Sequence, residues 1–445
     1  MLNQQDRGAP GAVRYYQGML GSLRKHVQRI LGGSPGYVDK VSDGVVEGWA
    51  WNSAEPDKKV TVSLYVEGAA AVSGVADLER PDLQAAGIGD GKCGFRLQLP
   101  YSHAGLGERP GWVQMSGAAR RLPYRKDEIF PVPAPPLLTF LAADIVNNCN
   151  LRCPFCVVDY SEVKKTELMT PATFGKMLEL LPLLPDGGFW LSCLHEPTIH
   201  PGFEDLLRMI PAGQGQKFWF TTNLARRMDD AMFQSWVDAG LHHVNVSMDT
   251  LDAGLFTVLR KHGRLEVFLD NLNRMVKVFR ASAKPPKIRY ITLVFESNFD
   301  ELEGIVRRGY EEWMSSEHEV RYMYNMAHSP DDFRRDHLPT RDRWPELQAR
   351  LDQLAAPHVV VCPPEDAGYE EQRNLPSNYF EIEKYRMPPE APDFTPPLQL
   401  RARHNGNMYL VSQEGRFSFN ITELADPVGY LLQAARESVE KVRAS

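Results

Sequence analysis

The sequence predicts a mixed α/β chain: a partial TIM-like (β/α)6 barrel, preceded by a small β-sandwich and followed by an α+β extension. Three observations carry that reading. From Leu137 to about Asn325, apolar strand-like runs alternate with helix-length amphipathic segments, the pattern of parallel βαβ units. Residues 36–128 show short alternating runs punctuated by Gly, Asp and Pro, the pattern of an antiparallel sandwich. Cys149, Cys153 and Cys156 directly follow the first barrel strand, and sites on such barrels sit at the C-terminal ends of strands.

The chain has 445 residues, 43% hydrophobic and 24% charged, which is ordinary globular material for two or three domains. Its net charge of −7 argues against a nucleic-acid partner, because phosphate binding leaves a basic surplus. No apolar run reaches the ~18 residues of a transmembrane helix, and no signal-peptide core precedes the first domain. The six cysteines are too few and too clustered for a disulfide framework. The expected location is cytoplasmic.

Residues 1–35 predict a helix over 13–31, with Met19, Leu20, Leu23, Val27, Ile30 and Leu31 apolar and Arg14, Arg24, Lys25 and Arg29 basic. Such a helix docks on protein or lies on an anionic membrane. Within residues 36–128, strands are expected at 44–51, 60–66 and 94–99. Trp49, Trp51 and Phe95 are candidates for sandwich core or for a sugar-stacking face. The run Pro131–Pro136 reads as a stiff polyproline-type linker.

The expected barrel strands are 138–146, 189–192, 218–222, 243–248, 288–295 and 320–324. Helices are expected at 171–184, 203–210, 231–239, 265–281 and 299–314. Residues 326–445 form the extension: a charged, proline-rich stretch, hairpins over 398–419 with turns at Asn405-Gly406 and Glu414-Gly415, and a helix from Pro427 to about Val442.

Three thiolates within the run Cys149–Cys156 can hold a soft metal centre on one loop and leave one metal position open. A zinc site completed by His195 or Cys193 is the alternative. The spacing Cys-x3-Cys-x2-Cys, with Phe155 before the last cysteine, resembles the signature of the radical S-adenosylmethionine (radical SAM) superfamily. Further motifs support the resemblance. Glu196-Pro197 matches that family's Gly-Gly-Glu-Pro, with Leu194-His195 replacing both glycines. Thr221-Thr222-Asn223 resembles Thr-Asn-Gly, with Leu224 in the glycine position. Ser247-Met248-Asp249 resembles a Ser-x-Asp ribose motif.

The resemblance implies a [4Fe–4S] cluster held by Cys149, Cys153 and Cys156, with S-adenosyl-L-methionine (SAM) chelating the fourth iron. It assigns Glu196 to the SAM amino group, Ser247 and Asp249 to the ribose, Arg260 to the SAM carboxylate, and Asn223, Asn298 and Phe155 to the cofactor's surroundings. Asn298 also reads as the N-cap of the following helix. His195 is a candidate acid or base toward substrate or a packed histidine. Residues 398–427 resemble the SPASM or twitch extension, which normally carries auxiliary clusters. Cys362 is the only cysteine after Cys193, so one cluster is expected. Cys362 itself is a candidate hydrogen-atom donor or a buried thiol. Gly36-Tyr37-Val38-Asp39, Gly48-Trp49-Ala50-Trp51, Arg80-Pro81-Asp82-Leu83 and Gly94-Phe95 together resemble a β-module appended to bacterial glycosyltransferases, which implies docking to an envelope or protein partner through residues 1–128.

The implied activity is reductive cleavage of SAM to a 5′-deoxyadenosyl radical, which abstracts hydrogen from a sugar, peptide or small molecule. An electron donor such as flavodoxin or ferredoxin would be required. With no second cluster as a relay, a redox-neutral outcome is expected: epimerisation, elimination or rearrangement. The alternative is a non-catalytic glycan- or envelope-partner-binding protein on a degenerate barrel.

Overall fold

The computed structural model describes residues 36–322, 329–362, 397–410 and 418–444, apart from residues 104, 119–120, 157, 159, 161–162, 193–194, 355 and 357–358. The helix expected over 13–31 and the turn at Glu414-Gly415 lie outside the described residues. The chain divides into two compact units, residues 1–137 with 432–445, and residues 138–431.

In the first unit, one antiparallel sheet contains β1 (Gly36–Ser42), β2 (Val45–Ala50), β5 (Leu78–Glu79) and β6 (Lys92–Gln98). A second contains β3 (Val60–Val66), β4 (Ala69–Ala76), β7 (Glu108–Met115), β8 (Arg121–Leu122) and β9 (Phe130–Pro133). Alternate residues of both sheets, among them Val38, Val46, Val62, Leu64, Phe95, Leu97, Val113 and Val132, form one buried core. Phe95 lies in that core and Trp49 in a smaller one beside Leu83 and Ile88. Both are therefore packed, not displayed as a sugar-stacking face, and Trp51 packs against the smaller cluster. The linker reading is corrected here. Phe130–Pro133 pairs antiparallel with β7, because Phe130 and Val132 alternate into the core while the prolines sit on an edge strand, where they are tolerated.

The second unit is a sheet in the order β16-β15-β14-β13-β12-β11-β10-β17-β18-β19. Its strands are β10 (Leu138–Ala143), β11 (Phe189–Leu191), β12 (Phe218–Thr222), β13 (His243–Ser247), β14 (Lys287–Val294), β15 (Ser315–Tyr322), β16 (Val359–Cys362), β17 (Leu398–Ala402), β18 (Asn407–Leu410) and β19 (Ser418–Asn420). From β10 to β16 each strand pairs in parallel with the next. The helices 171–178, 203–208, 230–238, 265–281 and 302–311 fall between them.

Two additions extend the six expected strands. The β-branched run Val359–Val361 continues the sheet beyond β15 as β16, and β17 pairs in parallel with β10 on the opposite side. Within the extension, β17 thus joins the barrel sheet, and each addition covers a strand edge. Gly406, at φ +88°, makes the expected turn from β17 into β18. The charged stretch after β15 also holds helices Asp331–His337 and Trp344–Asp352, which the pattern did not predict.

Local chemistry fixes the helix starts. Thr170 accepts from Thr173 N before a Pro at the first turn, and Asp229 and Asp252 accept from Met232 N and Leu255 N. Each such cap is worth about 1 kcal/mol. Helix 265–281 buries Leu265, Phe268, Leu272, Met275 and Phe279 on one face. The outward side chains of the sheet pack beneath the helices: Phe189 stacks on Phe218 at 4.5 Å, and Phe220 meets Trp236 edge-on. Burial of each such ring contributes roughly 1.5–3 kcal/mol, so the scaffold that aims the strand ends is stiff.

Candidate active site

The three cysteines lie on the loop after β10. Arg152 organises it: its guanidinium donates to the carbonyls of Cys149 and Leu151 at 2.7 Å each, and its backbone N–H donates to Lys261 O at 2.9 Å. Cys149 N donates to Asn148 Oδ1 at 2.8 Å, and Cys156 N to Cys153 O at 3.1 Å. The loop is thereby tied to the connection that carries Arg260.

Each sulfur faces an N–H donor. Leu151 N and Asn223 Nδ2 lie 3.4 Å from Cys149 Sγ, Val158 N lies 3.5 Å from Cys156 Sγ, and Arg260 Nη1 lies 4.0 Å from Cys153 Sγ. Burial pushes the Cys149 thiol up to about 12, with the Glu196 charge adding to it, and the Cys153 thiol up to about 11 against the Arg260 charge; Cys156 is also raised by burial. Thiols dried out in this way ionise only when a cation arrives, and the surrounding N–H groups then suit thiolates. The donor set therefore fits a thiolate-ligated iron–sulfur centre. Among the described residues no three His, Cys, Asp or Glu side chains converge to hold a single ion, whereas cluster cysteines each meet a different iron. His195, one candidate fourth zinc ligand, is engaged elsewhere: Nδ1 is 3.1 Å from Tyr160 Oη and Nε2 is 4.0 Å from Asp144 Oδ2. Cys193 and Leu194 lie outside the described residues.

The other motif residues form brackets between strand ends. Glu196 is buried; Oε1 accepts from Thr198 N, Thr198 Oγ1 and Thr222 Oγ1, and Oε2 from Asn223 N at 2.7 Å. It locks the end of β11 to the end of β12 and fixes Asn223, whose Oδ1 accepts from Ala225 N. Leu224 holds φ +49°, the left-handed region in which the family motif carries glycine. Its side chain is fully buried. Asp249, after β13, accepts from Leu293 N through Oδ1 and meets Arg260 Nη2 at 2.5 Å through Oδ2. Arg260 also lies over the Phe155 ring at 5.4 Å, and Phe155 packs on Phe295 and Phe333. Ser247 ends β13 half-buried.

Asn298 donates to Asp249 O at 2.6 Å and Leu293 O at 2.9 Å, and accepts from Phe295 N. The N-cap reading is corrected: Asn298 sits inside the short 3-10 turn Glu296–Glu301 and ties the ends of β13 and β14, and the helix begins later, at Leu302. Cys362 ends β16, so the topology places it at the C-terminal end of a barrel strand.

Sequence reasoning missed three supports. Asp144 takes two hydrogen bonds from Arg401, at 2.9 and 2.6 Å, joining β10 to β17 beneath His195. Burial lowers the His195 pKa, so it is neutral at pH 7. Asn271 donates to Leu224 O and accepts from Met228 N; a lone amide on the apolar face of helix 265–281 was its visible signal. His318 reaches Thr292, which donates to Met248 O beside Asp249.

Residues 144–309 match the model of the Radical SAM superfamily. Those residues thus carry the radical SAM domain. Members of that superfamily use a [4Fe–4S] cluster and SAM, which the three cysteines and the N–H groups around them fit. A GTP 3',8-cyclase of Chlorobaculum tepidum is 32% identical over 139 residues, 30% of this chain and 39% of that protein. The tungsten-containing aldehyde ferredoxin oxidoreductase cofactor-modifying protein of Pyrococcus furiosus is 26% identical over 172 residues, 38% and 48% of the two chains. This chain thus spans about half or less of the length of the curated relatives it matches. The crystal structure of Streptococcus suis SuiB bound to precursor peptide SuiA is 14% identical, with a TM-score of 0.45 over 69% of this chain and 67% of that one.

Proposed function

We propose that this chain forms a radical on a sugar, peptide or small molecule and directs it to a redox-neutral outcome. When bound, the cluster and SAM supply a 5′-deoxyadenosyl radical. The observation that supports this reading is the grouping of three half-buried thiols with Asn223, Asp249 and Arg260 at successive strand ends. In this reading Cys149, Cys153 and Cys156 hold the cluster, Ser247 and Asp249 take the ribose, Arg260 faces the SAM carboxylate, and groups beside Glu196 take the amino group. Phe155 excludes water from one side of the cluster. The redox-neutral assignment follows from the cysteine count, since outside the Cys149–Cys156 loop the sequence holds only Cys93, Cys193 and Cys362. A small one-electron carrier such as flavodoxin or ferredoxin would supply the reducing equivalent. Residues 1–128 serve docking in this reading. Among the described residues no helix is long and apolar enough to cross a membrane.

The test is anaerobic reconstitution with iron and sulfide, followed by reduction in the presence of SAM. The expected result is release of 5′-deoxyadenosine and its loss in Cys149→Ala. Undiminished release from that variant would overturn the assignment.

A further inference from the structure

Two of the cysteine sulfurs receive side-chain N–H donors that are themselves held rigidly. Asn223 is fixed from both sides: its backbone N–H donates to Glu196 Oε2 at 2.7 Å and its Oδ1 accepts from Ala225 N at 2.8 Å. Its Nδ2 is left aimed at Cys149 Sγ, 3.4 Å away, and at Asn150 Oδ1, 3.0 Å away. Arg260 is fixed by a chain of contacts. Asn298 Nδ2 donates to Asp249 O at 2.6 Å, Leu293 N donates to Asp249 Oδ1 at 3.0 Å, and Asp249 Oδ2 holds Arg260 Nη2 at 2.5 Å. The other guanidinium nitrogen, Nη1, then faces Cys153 Sγ at 4.0 Å, with the Phe155 ring beneath. The third sulfur, of Cys156, has a backbone donor, Val158 N, at 3.5 Å. Asn223 and Arg260 come from different strand ends, β12 and the connection after β13, yet converge on one loop.

We propose that Asn223 and Arg260 raise the reduction potential of the cluster by donating hydrogen bonds to its Cys149 and Cys153 thiolates. This rests on the cluster assignment above and deepens it. A hydrogen bond to a ligating sulfur draws electron density from the iron and favours the more negative, reduced state; hydrogen bonding to sulfur and burial are the protein's means of setting such potentials. The pairing of Arg260 with Asp249 makes the two side chains together neutral, so their effect on the cluster comes from the directed N–H and not from net charge. The electron enters from the external donor and resides on the cluster; no proton moves and no bond breaks.

The test is a potentiometric titration of the reconstituted full chain, without SAM, following the reduced cluster by its electron paramagnetic resonance signal. The variants are Asn223→Leu, Arg260→Met and the double variant Arg260→Met/Asp249→Asn. At the wild-type midpoint the ratio of reduced to oxidised cluster is expected to fall about tenfold in Asn223→Leu and in the double variant, equivalent to about 59 mV for a one-electron couple. Wild-type midpoints in both would overturn the proposal. A shift in Arg260→Met that the double variant abolishes would assign the effect to the unpaired Asp249 charge and would equally overturn Arg260 as a donor. Should Arg260→Met fail to retain its cluster, the other two variants decide. A wild-type chain that binds no iron and sulfide would instead remove the functional reading itself, and the proposal with it.

Discussion

The Arg260 guanidinium lies 2.5 Å from the Asp249 carboxylate, and Asp249 is fully out of solvent. These are the two residues that the family motifs assign to opposite ends of SAM, and here they meet each other. Their pairing links the β13 end to the cysteine loop through Cys153. Removing one partner leaves a buried charge without compensation, which typically costs about 3–5 kcal/mol, whereas removing both costs far less.

Asp249→Asn should therefore destabilise the cluster-free protein by roughly that amount, and Asp249→Asn/Arg260→Met should recover most of it. Urea unfolding of the three proteins measures this. Equal stability of the single variant and the wild type would show that the pair carries no structural load.

Leu224 sets two effects against each other. Its φ of +49° costs about 1–2 kcal/mol for a side chain with a Cβ, a cost glycine escapes. The side chain is fully buried, and truncating a buried Leu costs about 2–5 kcal/mol. Burial wins, so Leu224→Gly should lower stability, by less than Leu224→Ala at the same strained backbone. A Leu224→Gly protein more stable than wild type would contradict the packing argument.

His318 is fully buried, and burial lowers its pKa from the ordinary 6.5 to about 3. The folded state thus holds it neutral, with Nε2 2.8 Å from Thr292 Oγ1. A histidine depressed in this way contributes stability above pH 6.5 that is lost as the pH falls toward about 3. His243, lowered to about 3 by burial first and then by the His242 charge, acts in the same window. Unfolding free energies between pH 7 and 4 should fall more steeply for wild type than for His318→Leu. Parallel slopes would show that His318 does not carry the acid sensitivity.

The parallel strands β10–β15 were legible because their apolar runs and intervening amphipathic helices have different periods. Helix 265–281 was readable to the residue, since its apolar stripe is long and uninterrupted. The flanking strands β16 and β17 were not, because their partners are set by the open edges of a sheet formed elsewhere in the chain. Pro131 and Pro133 read as linker; the alternation of Phe130 and Val132 into the sandwich core overrode that local preference. In the site, residue types and order were visible as motifs, but which groups meet was not. Glu196 spends two of its four hydrogen bonds on the end of β12, at Thr222 and Asn223, and Arg401 reaches Asp144 from 257 residues away. Such long-range pairings leave no periodic trace.

The central claim is that three cysteines hold a [4Fe–4S] cluster with one iron free to bind SAM. The most direct measurement is the electron paramagnetic resonance spectrum of the reduced, reconstituted protein before and after SAM is added. A [4Fe–4S] signal that changes on addition of SAM is the predicted result. A centre containing zinc, or an iron–sulfur signal indifferent to SAM, would contradict it.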